Sequence, residues 1–266
     1  MKYELPPKRK TPVSKKIRNI FIALAILTIY VITFTQININ WSRVISERTI
    51  NNFNRVIPQL FSPDWSKFGK VIEKMIETVF IAYAGSLMAA LIAVPLAFFA
   101  ANNMSRFRAV STFGKWVLDG IRAFPELVFA IIFVATVGPG PFAGVLAIAI
   151  NSTGMLGKLY SEVIESIDMK VVEAMEANGA NKIQILFYGI IPQVIPEFLS
   201  YAIYRFEIDV RSSSVLGIVG AGGIGLLIVI AVANRNWDEV GMILLVIIVV
   251  VTIIDYLSSY IRRKIV

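Results

Sequence analysis

The sequence lacks both cysteine and histidine. Without them the chain has no thiolate nucleophile, no Cys or His metal ligand and none of the commonest general bases. It also contains no G-x-x-x-x-G-K-[ST] pattern, so it has no P-loop with which to hold ATP. These absences argue against an enzyme, and we expect no cofactor and no metal site.

Charge is scarce as well. Only 17% of the residues are charged, whereas about a quarter are charged in soluble domains. Hydrophobic residues make up 56% of the chain, and the mean hydropathy is +0.71. Several apolar runs approach the ~20 residues that a membrane-spanning helix needs. The sequence therefore predicts an all-α polytopic membrane protein, with apolar runs at Ile17–Thr35, Val79–Ala101, Val117–Val137, Phe142–Leu159, Ile183–Phe206, Val215–Ala233 and Val240–Tyr260.

The net charge of +8 is interpreted as a topology signal and a contact with anionic lipid, not as a nucleic-acid interface. Basic residues lie at both ends, and the positive-inside rule then places both termini in the cytoplasm. That placement requires an even number of crossings, so we expect six spans from the seven runs. The basic residues in question are Lys8, Arg9, Lys10, Lys15, Lys16, Arg18, Arg262, Arg263 and Lys264.

The seventh run, Val215–Ala233, is the weakest candidate span because five glycines fall between Gly217 and Gly225. We expect a re-entrant or broken segment that faces the extracytoplasmic side, since irregular backbone at membrane depth must be buried in protein or line a wet cavity. The alternative is a continuous helix that packs closely through its glycines. With six crossings, Asn102–Lys115 and Ser161–Lys182 are cytoplasmic. The segment Trp65–Thr78 has amphipathic helical spacing and is interpreted as an interfacial helix on the outer side.

Ionisable residues inside apolar runs are candidates for a translocation pathway or its gate, because each is costly in a membrane unless it is paired or hydrated. Arg122 and Glu126 are four residues apart, as are Glu207 and Arg211, so each pair can meet on one helix face. The alternative is that these pairs are neutralised and hold helices in register. The two arginines are suitable contacts for an anionic solute. The candidate pathway residues are Arg122, Glu126, Glu207, Arg211, Ser212, Ser213, Gly222 and Gly223.

A polar helix-favouring segment, EAMEANGANKIQILFYGIIP, lies between strongly apolar runs at Glu173–Pro192. A polar helix in a membrane protein must lie outside the bilayer, and small residues on it allow a partner to approach closely. Gly179 permits the backbone turn that ends such a helix. We therefore expect a partner-docking helix that uses Glu173, Ala174, Ala177 and Gly179.

The same segment resembles the EAA loop of ABC importer permeases, through Glu173-Ala174-Met175, Gly179 and Ile191-Pro192. It departs from that pattern at Met175, which replaces a third small residue, at Gly189, which replaces an isoleucine, and at Ile191, which replaces a leucine. The block YGIIPQVIPEFLSYAIYRFEIDVRSSSVLGIVGAGGIG, Tyr188–Gly225, resembles phosphonate-type permeases of this class. The stretch Arg122-Ala-Phe-Pro-Glu126 is similar to their R-x-x-P-E motif.

The resemblance implies a methionine-importer-like fold with one additional N-terminal helix. Residues 1–64 would form the N-terminus, the first span and an extracytoplasmic segment. Residues 65–266 would form the importer transmembrane domain, with a cytoplasmic coupling helix near 163–182. The implied location is a bacterial cytoplasmic membrane.

The implied partners are a second permease subunit, in a homodimer, two cytoplasmic ATPase subunits, an extracytoplasmic substrate-binding protein and the lipid bilayer. The implied cargo is a phosphonate or a related oxyanion such as phosphite, hypophosphite or phosphate. Two alternatives stay open. One is a permease for methionine or another organic solute, and the other is a proton-coupled secondary transporter that uses Glu126 and Glu207.

Overall fold

The computed structural model describes residues 13–37, 41–104 and 107–265, without the side chains of Trp41 and Arg43. The N-terminal Lys8, Arg9 and Lys10 therefore lie outside the described residues. All regular structure in the described part is helical. The helices are α1 Val13–Gln36, α2 Trp41–Val44, α3 Glu47–Leu60, α4 Phe68–Ala100, α5 Arg108–Arg122, α6 Glu126–Val137, α7 Pro141–Ser166, α8 Met169–Ala177, α9 Lys182–Gln184, α10 Ile191–Leu216, α11 Ile224–Ala233 and α12 Trp237–Ile265.

Three short segments of other helical type join these elements. A 3-10 turn, Trp65–Lys67, leads into α4, and a second one, Gly217–Val219, follows α10. A π-helical stretch, Ile185–Ile190, connects α9 to α10. The chain divides into two compact units, Met1–Arg55 and Val56–Val266. The functional division at residue 64 that the family resemblance implies remains a prediction.

Five helical segments among the described residues are long and apolar enough to cross a membrane, and the bent pair α5–α6 makes a sixth. This agrees with the expected number of crossings. α11 has only 10 residues, so at ~1.5 Å per residue it reaches about half of the ~30 Å hydrocarbon core. The Gly-rich run is therefore a broken segment, as expected, and not a continuous span.

Close packing of α4 against α7 forms the centre of the larger unit. Every third or fourth residue on one face of α4 is small and fully buried, including Ala82, Ala89, Ala93 and Ala97. A Cβ atom added to Gly85 would lie 2.7 Å from the Ile148 side chain, so the two backbones approach closely there. Small residues are what permit such packing in membrane bundles, where van der Waals contact replaces the hydrophobic effect between helices.

The bundle has two distinct ends. At one end the turn after α4 meets the end of α7 and the start of α8, because Asn102 N donates to Glu165 Oε1 (2.8 Å) and Asn103 Nδ2 donates to the carbonyl of Ile164 (2.6 Å). We call this the α8 end. At the opposite end Asp64 N donates to the carbonyl of Asp238 at the start of α12 (3.2 Å). α4 and α7 thus run in parallel from the opposite end to the α8 end.

Three expectations about the elements are wrong. Trp65–Thr78 is not a separate interfacial helix: α4 continues through it, and its Val71, Met75 and Thr78 are fully buried in the bundle. The run Val117–Val137 is not one straight helix, since α5 and α6 meet at an 80° bend. The helix that was expected to end at Phe206 continues to Leu216, because α7, α4 and α12 supply partners for its charged residues.

Candidate functional site

α8 is a short helix whose two ends are both capped. Asp168 accepts a hydrogen bond from Lys170 N at its start (3.0 Å). At its end Gly179 adopts φ +79°. Gly179 N donates to the Glu176 carbonyl (2.9 Å) and Ala180 N to the Met175 carbonyl (3.0 Å), which is a Schellman motif. The sequence-based interpretation of Gly179 as the residue that turns the chain is confirmed.

The outer face of α8 is exposed and small. Glu173, Ala174 and Ala177 are all exposed, whereas Val172 is buried against the bundle. Glu173 has no hydrogen-bond or ion-pair partner among the described residues. The four residues expected from the sequence therefore form one accessible surface, and the acid on it is available to a partner.

Two of the three departures from the permease motif, Met175 and Gly189, lie against each other beneath α8. A Cβ atom on Gly189 would come within 2.9 Å of Met175 Sδ, which is the only contact closer than 3.9 Å at that position. The longer side chain at 175 thus occupies the space that a side chain at 189 would need. In the sequence, the departures at positions 175 and 189 look unrelated. In the structure, the larger side chain at 175 is accommodated by the missing side chain at 189.

A hydrogen bond ties the start of α8 to α10, and α7 leads into α8 directly through Ile167. Asp168 N donates to Gln193 Oε1 on α10 (3.0 Å), and Gln193 Nε2 donates to the Gly189 carbonyl (2.6 Å). Next to it, Lys115 Nζ of α5 lies 2.8 Å from Glu165 Oε1 of α7. A displacement of α8 would therefore be transmitted to α7 and α10.

A buried charge cluster lies in the middle of the bundle, where four helices meet. Arg205 Nε of α10 is 2.8 Å from Asp209 Oδ1 one turn later, and Arg205 Nη2 is 3.6 Å from Glu126 Oε2 of α6. Asp209 is fully buried and Arg205 is 7% exposed. An ion pair this deep persists only if its remaining polar atoms are satisfied.

Hydroxyl groups from the neighbouring helices satisfy the Arg205–Asp209 ion pair, whereas Glu126 Oε1 is buried without a hydrogen-bond partner among the described residues. Ser86 Oγ of α4 donates to Asp209 Oδ2 (2.6 Å), and Ser152 Oγ of α7 lies 2.9 Å from the same oxygen. Ser152 Oγ also accepts from Arg205 Nε (2.9 Å). Asn151 Nδ2 donates to Glu126 Oε2 (3.2 Å). The cluster thus joins α4, α6, α7 and α10 at one depth.

Sequence reasoning placed only Glu126 in this cluster, and it paired that residue with the wrong partner. Arg122 ends α5 and reaches Asp119 Oδ1 (3.6 Å) with its side chain 46% exposed. Glu126 starts α6 beyond the bend. Pro125 disfavours helical backbone at the residue before it, so the i,i+4 relation between Arg122 and Glu126 is broken. The signals for the true partners were polar residues within apolar runs, Ser86 and Ser152, together with Arg205 and Asp209 at helical spacing.

The second predicted pair is confirmed. Arg211 Nη2 lies 2.5 Å from Glu207 Oε1 on the same face of α10. Both residues also contact α12, because Arg211 is 2.9 Å from Asp255 Oδ1 and Arg262 Nη2 is 3.1 Å from Glu207 Oε2. Arg211 (47% exposed) and Asp255 (38% exposed) lie at the protein surface, whereas Glu207 between Arg211 and Arg262 is buried. This group of charges joins two helices, which supports a register role beside any role in transport.

The Gly-rich segment is held by α4 and by the turn before α7. Gly223 N donates to Glu77 Oε1 (3.0 Å) and Ile224 N to Thr78 Oγ1 (2.7 Å). Gly140 N donates to the Gly220 carbonyl (2.9 Å). Gly222 and Gly223 have φ values of +81° and +73°. The predicted candidates therefore lie in an ordered loop at the α11 start, and Glu77 and Thr78 are functional neighbours that the sequence interpretation missed.

The two predicted serines lie near these groups on α10. Ser213 is buried and donates to the Val210 carbonyl (2.9 Å). Its hydroxyl also lies 3.3 Å from the Thr78 carbonyl of α4. Ser212 is half-buried beside the Glu126 carboxylate. The structure thus places Glu126 and Ser212 together, and Ser213 with the Gly-loop support, while Glu207 and Arg211 form a separate group with α12.

Comparison with known proteins finds similarity to a transport family and to individual permeases. The family model described as "Binding-protein-dependent transport system inner membrane component" matches residues 93–266. The chain is 41% identical over 201 residues to the phosphite transport system permease protein PtxC of Stutzerimonas stutzeri, covering 76% of this chain and 73% of that protein. It is 33% identical to the phosphate-import permease protein PhnE of Mycolicibacterium smegmatis, covering 98% of this chain and 49% of that one.

Among solved structures, the fold is similar to an inward-facing MetNI methionine ABC transporter. The TM-score is 0.66 at 17% identity, and the match covers 76% of this chain and 99% of that chain. At this level of identity the similarity concerns the fold. The expected methionine-importer-like arrangement of helices is confirmed.

Proposed function

The chain belongs to the family of binding-protein-dependent transport system inner membrane components, and on that premise we propose that it is the membrane-spanning subunit of an ATP-driven importer for phosphorus oxyanions. It is an integral membrane permease with no P-loop of its own. The energy source would be a separate ATPase. The observation that carries the proposal is the doubly capped, exposed α8 with its unengaged Glu173.

The coupling step that we propose follows from how α8 is attached. Its capped ends make it a rigid body, the bond from Asp168 to Gln193 connects it to α10, and α7 leads into it directly through Ile167. Closure of two ATPase subunits would move α8, and α7 and α10 would move with it. Both helices carry groups of the buried charge cluster, so a rearrangement at α8 would reach the centre of the bundle.

The orientation follows from the same assignment. If α8 docks an ATPase, the α8 end is cytoplasmic. The last turn of α12 would then be cytoplasmic too, with its basic residues Arg262, Arg263 and Lys264. The N-terminus would lie on the same side of the membrane. The Gly-rich loop would then face the extracytoplasmic side, where a substrate-binding protein would deliver cargo. A second copy of this chain would complete the pathway, and residues 65–266 would be the part that forms it.

The cargo class is inferred from the relatives. The names of the two relatives described above specify phosphite and phosphate, so phosphite, phosphate, phosphonate and hypophosphite are the candidates. Methionine or another organic solute is the runner-up. Uptake measured with each anion, in liposomes that hold the permease, its ATPase and its binding protein, distinguishes them.

The docking role is tested by Glu173→Lys, which reverses the charge on the exposed face of α8 without altering a buried contact. We expect ATP-driven uptake to fall about tenfold or more, which corresponds to about 1.4 kcal/mol of lost docking. The amount of folded permease in the membrane should be unchanged. Glu162→Lys is the matched control, because Glu162 is exposed on α7 outside the docking face.

Two results would contradict the proposal. Wild-type rates of ATP-driven uptake in Glu173→Lys would remove Glu173 from the coupling step. Uptake that runs on a proton gradient without any ATPase subunit would favour the secondary transporter that the sequence left open.

A further inference from the structure

α3 carries a clean apolar stripe. Ile50, Phe53, Ile57 and Leu60 recur at three- and four-residue spacing, which places them on one side of the helix. The remaining positions are almost all polar. Arg48 and Arg55 are seven residues apart and lie on the opposite face. A helix with this pattern must bury its stripe against something.

Only the last part of the stripe is covered. Leu60 packs against the core of the larger unit, beside Val71 and Met242, and its carbonyl closely approaches Gly241 of α12. By contrast, Ile50 is 49% exposed and Phe53 is 63% exposed. No residue of α3 is buried. The N-terminal half of the stripe therefore still requires an apolar environment.

The surroundings of α3 along the chain indicate what that environment is. The helix lies between two candidate spans, since α1 ends at Gln36 and α4 begins at Phe68, so the chain returns to the membrane on both sides of it. Phe61 and Trp65, which follow α3, are 84% and 66% exposed. Tryptophan is enriched at the boundary between lipid and water, so Trp65 marks that boundary next to the exposed Phe61.

We propose that α3 lies in the plane of the membrane surface, with Ile50 and Phe53 inserted below the lipid headgroups of the leaflet opposite α8. The family model begins at residue 93. α3 lies outside that match, and the anchor depends on neither the cargo nor the ATPase.

Charge plays a minor part in this anchor. Arg48 and Arg55 point away from the stripe, so they face water when the stripe faces lipid. The association is therefore driven by apolar burial, which salt does not screen. A protein partner held by these arginines would show the opposite behaviour, with strong dependence on ionic strength.

The absence of native cysteine makes a direct test possible in the full-length permease. Single variants Ile50→Cys and Phe53→Cys place a polarity-sensitive fluorophore on the stripe, and Asn51→Cys places it on the polar face as the matched control. The labelled permease is reconstituted in liposomes with and without lipids that carry a nitroxide near the top of the acyl chain. A helix buried ~5–10 Å into the interface lies within reach of that quencher.

We expect blue-shifted emission and at least about threefold stronger lipid quenching at positions 50 and 53 than at 51, unchanged by high salt. Equal, water-like emission at all three positions would overturn the proposal. Emission at 50 and 53 that is blue-shifted but insensitive to the nitroxide lipid would also overturn it, because a protein surface or a second copy would then cover the stripe.

Discussion

At the scale of single residues, Met175 and Gly189 show how a motif can change without losing its geometry. Each departs from the permease pattern. Met175 Sδ occupies the space that a side chain at position 189 would fill. Neither substitution is informative in a sequence alone, because the two positions are far apart in the motif. Their contact arises from the turn at Gly179 and the π-helical stretch that follows.

Restoring the motif at one position should therefore be harmful. We expect Gly189→Ile to destabilise the permease by about 1–3 kcal/mol through overpacking against Met175. The double variant Met175→Ala/Gly189→Ile should recover much of that loss, with a coupling energy of about 0.5–3 kcal/mol between the two sites. Unfolding of the purified permease in detergent measures each variant.

The control is Met175→Ala alone, which completes the double-mutant cycle with the wild type, Gly189→Ile and the double variant. If the two substitutions prove additive, the contact has no energetic significance and the pairing is coincidental.

At the scale of elements, local signals predicted some helices and missed others. α8 was predictable because its features are local: a polar composition and a Gly at the position where the chain turns. The break between α5 and α6 was not recognised, although Pro125 was visible, because the apolar run continues across it. α10 was predicted too short, since the partners of its charges are on helices far away in sequence.

The Gly-rich loop before α11 offers a prediction at this scale. In Gly223→Ala the new Cβ would lie 2.5 Å from Thr78 Oγ1, at a φ of +73° that disfavours a side chain. The two bonds that hold the loop on Glu77 and Thr78 should weaken, and we expect transport to be lost while the spans remain assembled.

Gly120→Ala is the matched control, since nothing lies within 4 Å of a Cβ there and the residue is inside α5. It should stabilise the helix by up to ~1 kcal/mol and leave uptake intact. Uptake assays and thermal unfolding of both variants decide the matter; normal uptake by Gly223→Ala would show that the loop tolerates displacement.

At the scale of the whole molecule, the buried cluster of Arg205, Asp209 and Glu126 connects several helices. The sequence predicts that these helices exist but not which of them are in contact. Composition and the apolar runs predicted the class, the number of crossings and a broken segment. They could not predict which charges meet, because that depends on how α4, α6, α7 and α10 pack. Of the two predicted pairs only Glu207–Arg211, which lies on one helix, forms; Arg205–Asp209 has the same spacing on the same helix and was overlooked.

The cluster predicts an asymmetric response to mutation. Arg205→Ala leaves Asp209 buried without its guanidinium, and we expect a loss of about 3–5 kcal/mol of stability. Removing all three charges, as in Arg205→Met/Asp209→Leu/Glu126→Gln, should cost much less, since Glu126 also faces Arg205 and no unpaired charge then remains. The free energy of unfolding in detergent gives both numbers.

Arg211→Ala provides the comparison, because Arg211 is half-exposed and Arg262 still pairs with Glu207 in that variant; ion pairs of exposed residues contribute about 0–1 kcal/mol. A loss in Arg205→Ala no larger than that in Arg211→Ala would mean that the cluster is hydrated and not a buried structural tie.

The two half-length helices, α6 and α11, have a consequence for the lipid around the protein. Their irregular ends, at Gly138–Gly140 and Gly220, are partly exposed in a single chain. Hydrocarbon cannot solvate such backbone, so water or another protein surface must cover it at that depth. In a thinner bilayer these ends lie closer to the water interface. The stability of a single permease chain in the membrane should therefore depend on bilayer thickness.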